Sequence, residues 1–518
     1  METIKKKYLG IELGSTRIKA ALIDETYSPV ATGTYDWESS YKDGFWTYSI
    51  EDIWTGIQNS YAALAAEYQQ KYGEKLPKPD GLCISAMMHG YMAFDKCSEL
   101  LTPFRTWRNT TTEDAAARLT ERFGFNIPQR WSIAHLYQAI LNSESHVKNI
   151  AFITTLAGYV HWKLSGEMVL GIGDASGMFP IDSNTNGYDS TMADSFMSLT
   201  GVDIKCVFPS ILTAGQSAGE LTHAGAKLLD PGGTLEPGVP MYPPEGDAGT
   251  GMVATNSIAA RTGNISAGTS VFAMVVLEKP LSKLHREIDM VTTPAGLPVA
   301  MVHCNTCTSD LDAWVKIFGE ASALMGAKFT RTELYNALYS EALKGEPDGG
   351  GMLSFNYYTG EPVAGLEKGC PLFTRLPENP MTLANFMRAS IYAAVATLSI
   401  GMSILTEQER VKLDVLLGHG GFFKTPEVGQ KVMASALNVP IAVRDSAAEG
   451  GAWGAALLAA YAAEAGGGTL EQFLDSVFER SSTDTVEPDA KDIEGFKRFM
   501  DRYMSGIEIE RAAVKHLI

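Results

Sequence analysis

The sequence predicts an α/β protein built from two domains that share one architecture. Its 518 residues exceed what one ordinary hydrophobic core accommodates, so two domains are expected. Apolar, β-prone runs alternate with helical segments along the chain. One run in each half leads into a turn of glycine and hydroxyl residues, and a second run follows. This repetition predicts a duplicated fold, with a boundary near Thr255.

The first hairpin opens the chain and has a tip rich in hydrogen-bond donors. The run 8–13 leads into Gly14, Ser15 and Thr16, and Arg17 begins the returning run. Glycine lets backbone N–H groups approach a ligand closely, and the two hydroxyl groups add further donors. The tip is therefore predicted to bind an anion.

The second hairpin repeats this pattern in the other half of the chain. The run 263–267 is followed by Gly268, Thr269 and Ser270, and the run 271–276 returns. One such tip is weak evidence for a ligand. Two tips, one in each half, predict a polyphosphate that is gripped from both sides.

The first half also contains helical segments and a further strand. Ser49 and Asp52 form a capping pair, and apolar residues recur at helical spacing from there to Tyr72. The run 80–86 is predicted to be a short strand, and the segment 111–123 a helix.

Candidate substrate contacts follow the strand 80–86. Met88 and His89 stand just beyond its carboxyl end, where open α/β sheets bind ligands. Trp107 and Asn109 offer an aromatic face and an amide group to a sugar. Each has a structural alternative, namely a core histidine, a packed tryptophan and an asparagine in a turn. Structural use is also the prediction for the tight turn that begins at Asp174.

One carboxylate stands in a loop of small residues shortly before the second hairpin. Asp247 lies within the segment 246–251, where little side-chain bulk shields it from a substrate hydroxyl group. An aspartate in such a position can accept the proton of a hydroxyl that attacks a phosphoryl group. The structural alternative is an Asx turn that satisfies its own backbone.

The second half ends in a glycine-rich turn and two helical segments. The strand 415–417 runs into the turn 418–421, and Phe423 then stands where a P-loop requires glycine. The chain therefore uses no P-loop, although a glycine platform after a strand can receive a flat adenine ring. The structural alternative is a strand-to-helix turn that binds no ligand. The segments 427–437 and 447–464 are predicted to be helices.

Composition and charge exclude several classes of function. The formal net charge of −18 argues against nonspecific binding to nucleic acid or to an anionic membrane. The apolar segment 450–463 is too short to span a bilayer and is predicted to be a packed helix. No apolar region follows the N-terminal lysines, so we expect no signal peptide and a cytoplasmic location. The lone pair Cys304 and Cys307 is expected to be two buried thiols.

Taken in order, these motifs resemble those of the FGGY family of carbohydrate kinases, which belong to the actin-like ATPase superfamily. The similarity runs from Leu9 to about Ala463. It implies two actin-like (ribonuclease H-like) ATPase domains with a cleft between them. Residues 1–255 would bind the sugar, residues 256–465 would bind ATP, and residues 466–518 would form a helical tail.

The resemblance also implies roles for individual residues. Asp247 takes the position of the catalytic base, and Glu12 and Asp247 would hold Mg²⁺ directly or through water. The family usually has aspartate in the first phosphate loop, and Glu12 is one methylene longer. The nucleotide contacts that the resemblance implies are Gly14, Ser15, Thr16, Arg17, Gly268, Thr269, Ser270, Gly420, Gly421, Phe422 and Lys424.

Within the family, the substrate segments look most like those of xylulose kinases. The expected reaction therefore transfers the γ-phosphoryl group of ATP to a hydroxyl group of a small sugar, such as the ketopentose xylulose. Met87 replaces the usual glutamine, and Asn109 stands where many relatives have aspartate. Ribulose, glycerol, other polyols and sugar acids are the alternative substrates.

Two other classes of function compete with a sugar kinase. The first is a sugar or nucleotide sensor on the same fold, which has no need for Asp247 beside the γ-phosphate. The second is a chaperone-like ATPase, against which the sugar-like segments and the lack of a peptide-binding domain argue. A homodimer is compatible with the sequence, which does not determine the oligomeric state.

Overall fold

The computed structural model describes residues 6–444, 450–464, 466–479 and 481–517. The strands are β1 Tyr8–Leu13, β2 Arg17–Ile23, β3 Pro29–Asp36, β4 Ser40–Lys42, β5 Phe45–Thr47, β6 Gly81–Ala86, β7 Met92–Phe94, β8 Phe152–Thr154, β9 Val169–Gly171, β10 Ile181–Asp182, β11 Gly187–Tyr188, β12 Ser210–Leu212, β13 Glu245–Gly246, β14 Thr262–Ala267, β15 Val271–Val276, β16 Asp289–Thr292, β17 Pro298–Cys304, β18 Leu353–Phe355, β19 Leu372–Thr374, β20 Val415–His419, β21 Ile441–Arg444 and β22 Thr483–Val486. The helices are α1 Ile50–Tyr72, α2 Glu113–Phe123, α3 Ser132–Leu141, α4 Leu156–Ser165, α5 Ile172–Ala175, α6 Ser190–Thr200, α7 Ile204–Val207, α8 His223–Leu229, α9 Asp247–Ala254, α10 Ser309–Leu324, α11 Arg331–Ala342, α12 Leu383–Ser403, α13 Val428–Leu437, α14 Gly450–Glu464, α15 Leu470–Phe478 and α16 Ala490–Leu517.

The N-terminal sheet has the strand order β13-β6-β1-β2-β3. Strands β1, β2 and β3 form an antiparallel meander, and β6 and β13 extend it in parallel to β1. Helix α1 begins after the N-cap Ser49, whose hydroxyl accepts a hydrogen bond from Asp52 N, and its apolar stripe packs on the sheet. The predicted helix, its cap and the predicted strand over 80–86 are thus confirmed.

The C-terminal sheet repeats this topology. Its order is β16-β17-β15-β14-β20-β21-β22, with β14, β15 and β17 antiparallel and β20 and β21 parallel to β14. The five central strands match the five strands of the first sheet, and β16 and β22 are added at the edges. The prediction of two ribonuclease H-like domains is therefore confirmed, and the boundary near Thr255 falls between α9 and β14.

Helix α14 packs on the N-terminal sheet, although it follows the second domain in sequence. A Cβ atom at Gly10 of β1 would lie 2.0 Å from the carbonyl oxygen of Ala452. A Cβ atom at Gly454 would lie 2.1 Å from the carbonyl oxygen of Thr250 in α9. The small residues of this helix thus let its backbone touch both elements. The prediction of a packed helix here is confirmed, and its predicted start at Ala447 lies outside the described residues.

The tail after α14 is shared between both domains and is not a separate unit. Helix α15 contributes Phe473 to the N-terminal core, whereas α16 inserts Phe499 and Tyr503 into the C-terminal core. Besides the predicted helices, the tail contains one strand, because β22 pairs antiparallel with β21 and extends the C-terminal sheet. The strand β22 is short and largely exposed, so its own sequence does not predict it. It forms because β21 offers a strand to pair with.

One helical stretch among the described residues, Leu383–Gln408, is long and apolar enough to cross a membrane. It comprises α12 and the π-helical turn that follows. Of its most apolar 18-residue window, 78% is buried inside the protein, which is the behaviour of a core helix. The sequence analysis considered a different apolar segment, 450–463, as a possible membrane span and did not single out this helix.

Replacing Gly10 with alanine tests the contact between β1 and α14. The added methyl group would overlap a backbone carbonyl that can move only with the whole helix, so the free energy of unfolding should fall by about 2 kcal/mol or more. Gly251→Ala in α9 is the control, because a Cβ atom there meets nothing within 4 Å. Urea unfolding measures both variants, and equal stability would contradict the packing described.

Candidate active site

Three neighbouring strands of the N-terminal sheet end at one edge in register. Leu13 of β1 pairs with Ala86 of β6, and Ala86 pairs with Gly246 of β13. The segments that follow these strands therefore start side by side. They are the first hairpin turn (residues 14–16, turn 1), the predicted substrate segment and the predicted base Asp247.

Turn 1 is closed by a hydrogen bond from Gly14 N to Arg17 O, at 3.0 Å. The Arg17 side chain lies at the surface, where its Nε donates to Asp36 Oδ1 at 2.6 Å. The guanidinium group is therefore occupied by a neighbouring carboxylate. Of the turn, Ser15 and Thr16 keep side chains that are not buried.

The second hairpin turn (residues 268–270, turn 2) lies against the predicted glycine platform. Gly268 N donates to Ser270 O at 2.9 Å. Gly420 has φ +100°, and a Cβ atom there would lie 2.4 Å from Ala267 O, so only glycine fits. A Cβ atom at Gly421 would meet nothing within 4 Å, which leaves open space over this part of the platform.

The two predicted contacts after the platform differ in exposure. Phe422 is fully buried in the C-terminal core, where its ring packs near Tyr339 and Phe423. Its side chain therefore supports the turn from below, and only its backbone could face a nucleotide. Lys424 is exposed.

Asp247 is the first residue of α9, so the positive end of a helix dipole stands behind its carboxyl group. Asp247 Oδ1 accepts a hydrogen bond from Met88 N at 3.2 Å, which ties the predicted base to the substrate segment. Desolvation raises the pKa of Asp247 to about 6, although backbone N–H groups partly oppose the shift. Its side chain retains some solvent access.

Glu12 lies close enough to Asp247 for their charges to interact. Burial, and next the charge of Asp247, raise the pKa of Glu12 to about 7. Glu12 Oε2 accepts from Ala452 N at 3.2 Å. A Cβ atom at Gly451 would lie 2.3 Å from Glu12 Oε1, so this glycine makes room for the longer acidic side chain.

The two carboxylates suit Mg²⁺, which proteins usually bind through one or two carboxylates together with phosphate oxygens and water. No group of three or more His, Cys, Asp or Glu side chains suited to a metal ion occurs in the described part of the chain. Glu12 and Asp247 could therefore hold the ion only together with a phosphate ligand or water.

His89 occupies an unusual backbone conformation at the end of β6. Its φ of +70° is rare outside glycine, and Gly90 follows at +93°. His89 Nδ1 donates to Gly177 O at 3.2 Å, so Nε2 is left as a hydrogen-bond acceptor. Burial, and next the charge of Arg130, hold the pKa of His89 well below its usual value, so the ring is neutral.

The structure places Trp107 and Asn109 differently from each other. Trp107 is 38% exposed and free to offer a ring face. Asn109 is buried, and its Oδ1 accepts from Trp46 N at 2.8 Å while its Nδ2 donates to Trp46 O at 2.9 Å and Thr106 O at 3.0 Å. Both amide N–H groups are thus used by the backbone, which favours the structural alternative for Asn109.

Two buried carboxyl groups lie near Asp247: Glu245, which the sequence reasoning did not single out, and Asp174, for which it predicted structural use. Glu245 accepts hydrogen bonds from Gly173 N at 3.2 Å and Asp174 N at 3.0 Å, and Asp174 accepts from Thr155 Oγ1 at 2.6 Å. Burial raises the pKa of each to about 8. Near neutral pH both are therefore mostly uncharged. The position of Glu245 two residues before Asp247 was the one signal that could have drawn attention to it.

Residues that the sequence did not single out also lie close enough to His89 for their charges to act on it. Arg130 forms an ion pair with Asp289 of β16, which joins the two domains. His303 of β17 lies on the same face of the sheet as Asp289, and burial, together with the charge of Arg130, lowers its pKa to about 4. Because these residues come from separate domains, no local pattern predicts that they meet.

Both halves of the chain match the models of one known protein family. Residues 7–253 match the N-terminal domain, and residues 263–463 the C-terminal domain, of the FGGY family of carbohydrate kinases. A xylulose kinase from Haemophilus influenzae is 22% identical over 523 residues, which cover 96% of this chain and 99% of that protein.

Two solved structures from Lactobacillus acidophilus share the fold. A ligand-bound xylulose kinase has a TM-score of 0.79 at 18% identity and covers 99% of both chains. A gluconate kinase has the same TM-score and identity and covers 98% of both chains. At this identity the likeness establishes the fold alone. The family matches to both halves of the chain go further, and the protein belongs to the FGGY family of carbohydrate kinases, phosphotransferases that act on a sugar hydroxyl group.

Proposed function

We propose that this protein transfers the γ-phosphoryl group of ATP to a hydroxyl group of a small sugar, with the ketopentose xylulose as the first candidate. The observation that carries the proposal is the common strand edge at which turn 1, the His89 segment and Asp247 start side by side. A base, a hydroxyl-binding group and a phosphate-binding turn are the parts that phosphoryl transfer to an alcohol requires.

Asp247 is the proposed general base. Ionised, it accepts the proton of the sugar hydroxyl as that oxygen bonds to the γ-phosphorus and the bond from phosphorus to the β–γ bridging oxygen breaks. The products are the sugar phosphate and ADP, and the proton stays on Asp247. Its raised pKa of about 6 brings the base close to neutral pH, where proton acceptance is efficient.

The remaining residues bind and position. Turn 1 and turn 2 supply backbone and hydroxyl donors to the phosphates, and the platform at Gly420 and Gly421 receives the adenine. Glu12 and Asp247 would hold Mg²⁺, which neutralises charge on the phosphate oxygens. His89 Nε2 accepts a hydrogen bond from the sugar, and Trp107 covers one face of it. Closure of the cleft would exclude water, which otherwise hydrolyses ATP.

The relatives support some candidate substrates but do not identify the substrate of this protein. The curated relative is a xylulose kinase, which supports a ketopentose. The two structural neighbours described above act on different sugars by their names, yet resemble this fold equally well. Fold likeness therefore carries no weight in choosing between a ketose, another polyol and a sugar acid.

A coupled assay of ADP release tests the function directly. With Mg²⁺ and ATP, we expect ADP release to rise strongly in the presence of at least one compound from a panel of ketoses, polyols and sugar acids. The rise should disappear when Mg²⁺ is chelated. If no compound raises the rate above that of ATP alone, the proposed kinase activity is contradicted, and the alternative of a sugar or nucleotide sensor gains support.

Asp247→Asn tests the proposed base. Asparagine keeps the size of the side chain and an oxygen that can accept from Met88 N, but it cannot take up the proton. We expect kcat to fall by roughly 10²- to 10⁴-fold. Affinities for ATP and sugar should change much less, because neither ground state depends mainly on this acceptor. A kcat near that of the wild type would remove Asp247 from the catalytic role.

The acid side of the pH profile tests the same residue independently. Because the pKa of Asp247 is raised to about 6, the carboxyl group is protonated below that pH and cannot act as a base. With Mg²⁺ in excess, which would keep Glu12 ionised, we expect kcat/KM for the sugar to fall about tenfold per pH unit below pH 6. Melting temperatures at each pH exclude unfolding as the cause. A profile that stays level down to pH 5 would contradict the assignment.

His89→Ala tests the sugar contact, with His135→Ala as the control. His135 is also a buried histidine of this domain, but it lies within α3, where its ring packs near Tyr91 and not in the segment that starts at the strand edge. Loss of the His89 partner leaves a buried hydroxyl unpaired, at a cost of about 1–3 kcal/mol. We expect kcat/KM for the sugar to fall roughly 5- to 150-fold with ATP affinity unchanged.

The control should lower the melting temperature and leave the sugar KM in place. If His89→Ala behaves like His135→Ala, His89 is a packing residue and the similarity to xylulose kinases loses its main local support.

A further inference from the structure

All three carbonyl groups of turn 1 accept hydrogen bonds from two aromatic residues, Trp37 and Tyr48. Trp37 Nε1 donates to Gly14 O at 2.7 Å, and Trp37 N donates to Thr16 O at 3.1 Å. Tyr48 Oη donates to the carbonyl between them, Ser15 O, at 2.5 Å. Each carbonyl of the turn thus has a fixed partner in Trp37 or Tyr48.

This arrangement determines where the N–H groups of turn 1 point. In a planar trans peptide, the carbonyl of one residue and the N–H of the next point in opposite directions. No cis peptide bond occurs among the described residues. With its carbonyls held towards the aromatic pair, the turn therefore directs the N–H groups of Ser15, Thr16 and Arg17 to the opposite side. Successive backbone N–H groups that converge in this way form an anion-binding concavity.

The aromatic pair is itself held rigidly. The rings of Trp37 and Tyr48 stack with centroids 4.1 Å apart, and both side chains are buried. Tyr48 follows β5, whose residue Trp46 has its N–H and carbonyl groups bound by the Asn109 amide. The amide that the sequence assigned to a sugar thus supports the strand before Tyr48. The pair cannot shift without breaking several buried contacts.

Two of the three carbonyls of turn 2 are also bound by another segment, through residues unrelated to Trp37 and Tyr48. Gly268 O accepts from Thr308 N at 3.0 Å and from Thr308 Oγ1 at 2.9 Å, and Thr269 O accepts from Cys307 N at 2.8 Å. Two domains that share a topology thus both hold carbonyls of this turn, the first mainly with aromatic side chains and the second mainly with backbone N–H groups. This independent repetition argues that the held carbonyls serve the turn's ligand.

We propose that Trp37 and Tyr48 are positioning residues, which hold turn 1 in the conformation that binds the terminal phosphate of ATP. The inference rests on the proposed function, since it takes a nucleoside triphosphate as the ligand. It assigns to each aromatic side chain one hydrogen bond whose loss weakens recognition of phosphate and not of adenine or sugar.

Trp37→Phe and Tyr48→Phe test this role, because each removes one donor and keeps an aromatic ring in the stack. Calorimetry should compare binding of the Mg²⁺ complex of a non-hydrolysable ATP analogue with binding of AMP. We expect the triphosphate to bind about 2- to 10-fold more weakly to each variant, and AMP to bind as it does to the wild type. The KM for the sugar should stay unchanged.

Trp54→Phe and Tyr159→Phe are the matched controls. Trp54 Nε1 donates to Tyr159 Oη at 3.1 Å in the same domain, so these variants lose the same kind of buried hydrogen bond without touching turn 1. We expect a comparable fall in melting temperature and no change in triphosphate affinity. Equal weakening in the control variants, or equal weakening for AMP, would show a general loss of structure and overturn the proposal.

Binding of the triphosphate to the wild-type protein distinguishes a failure of the positioning role from a failure of the proposed function. A wild type that binds no triphosphate overturns the function and the inference together. A wild type that binds the triphosphate, alongside Trp37→Phe and Tyr48→Phe variants that bind it equally tightly, overturns the positioning role alone.

Discussion

Parallel, in-register pairing of the central strands is the constraint on which the site depends. Because β1, β6 and β13 reach one edge together, three segments far apart in the chain start within reach of each other. The same pairing of β14 with β20 brings turn 2 beside the platform at Gly420. A shift of one residue in either pairing would turn every side chain to the other face and separate these groups.

The two domains share a strand topology but hold their turns with different partners. Turn 1 is held by Trp37 and Tyr48, whereas turn 2 is held by the segment 307–309 at the start of α10. That role gives the Cys304–Cys307 stretch a structural purpose that needs no metal. Gly10 also serves backbone contact, because its lack of a side chain lets α14 lie directly on β1. A helix that follows the second domain in sequence can therefore pack on the first domain.

Electrostatics distinguish Asp247 from its acidic neighbours. Burial raises the pKa of Asp174 and Glu245 to about 8, so both are mostly protonated near pH 7 and add little negative charge beside Asp247. Glu12, with its pKa raised to about 7, is the one acidic neighbour that a cation would fully ionise. The site thus keeps its ionised carboxylates on the side where phosphates and a metal ion would lie.

The sequence by itself determined the fold class, the duplicated domains, both turns and the neighbourhood of Asp247, because each depends on periodicity or on a short local motif. It could not reveal the Trp37–Tyr48 pair, the ion pair of Arg130 across the domains, or the backbone role of Asn109. Each of these joins residues that are distant in the chain. A side chain's donors carry the same chemistry in every environment, and only the tertiary structure decides whether a sugar or a neighbouring backbone receives them.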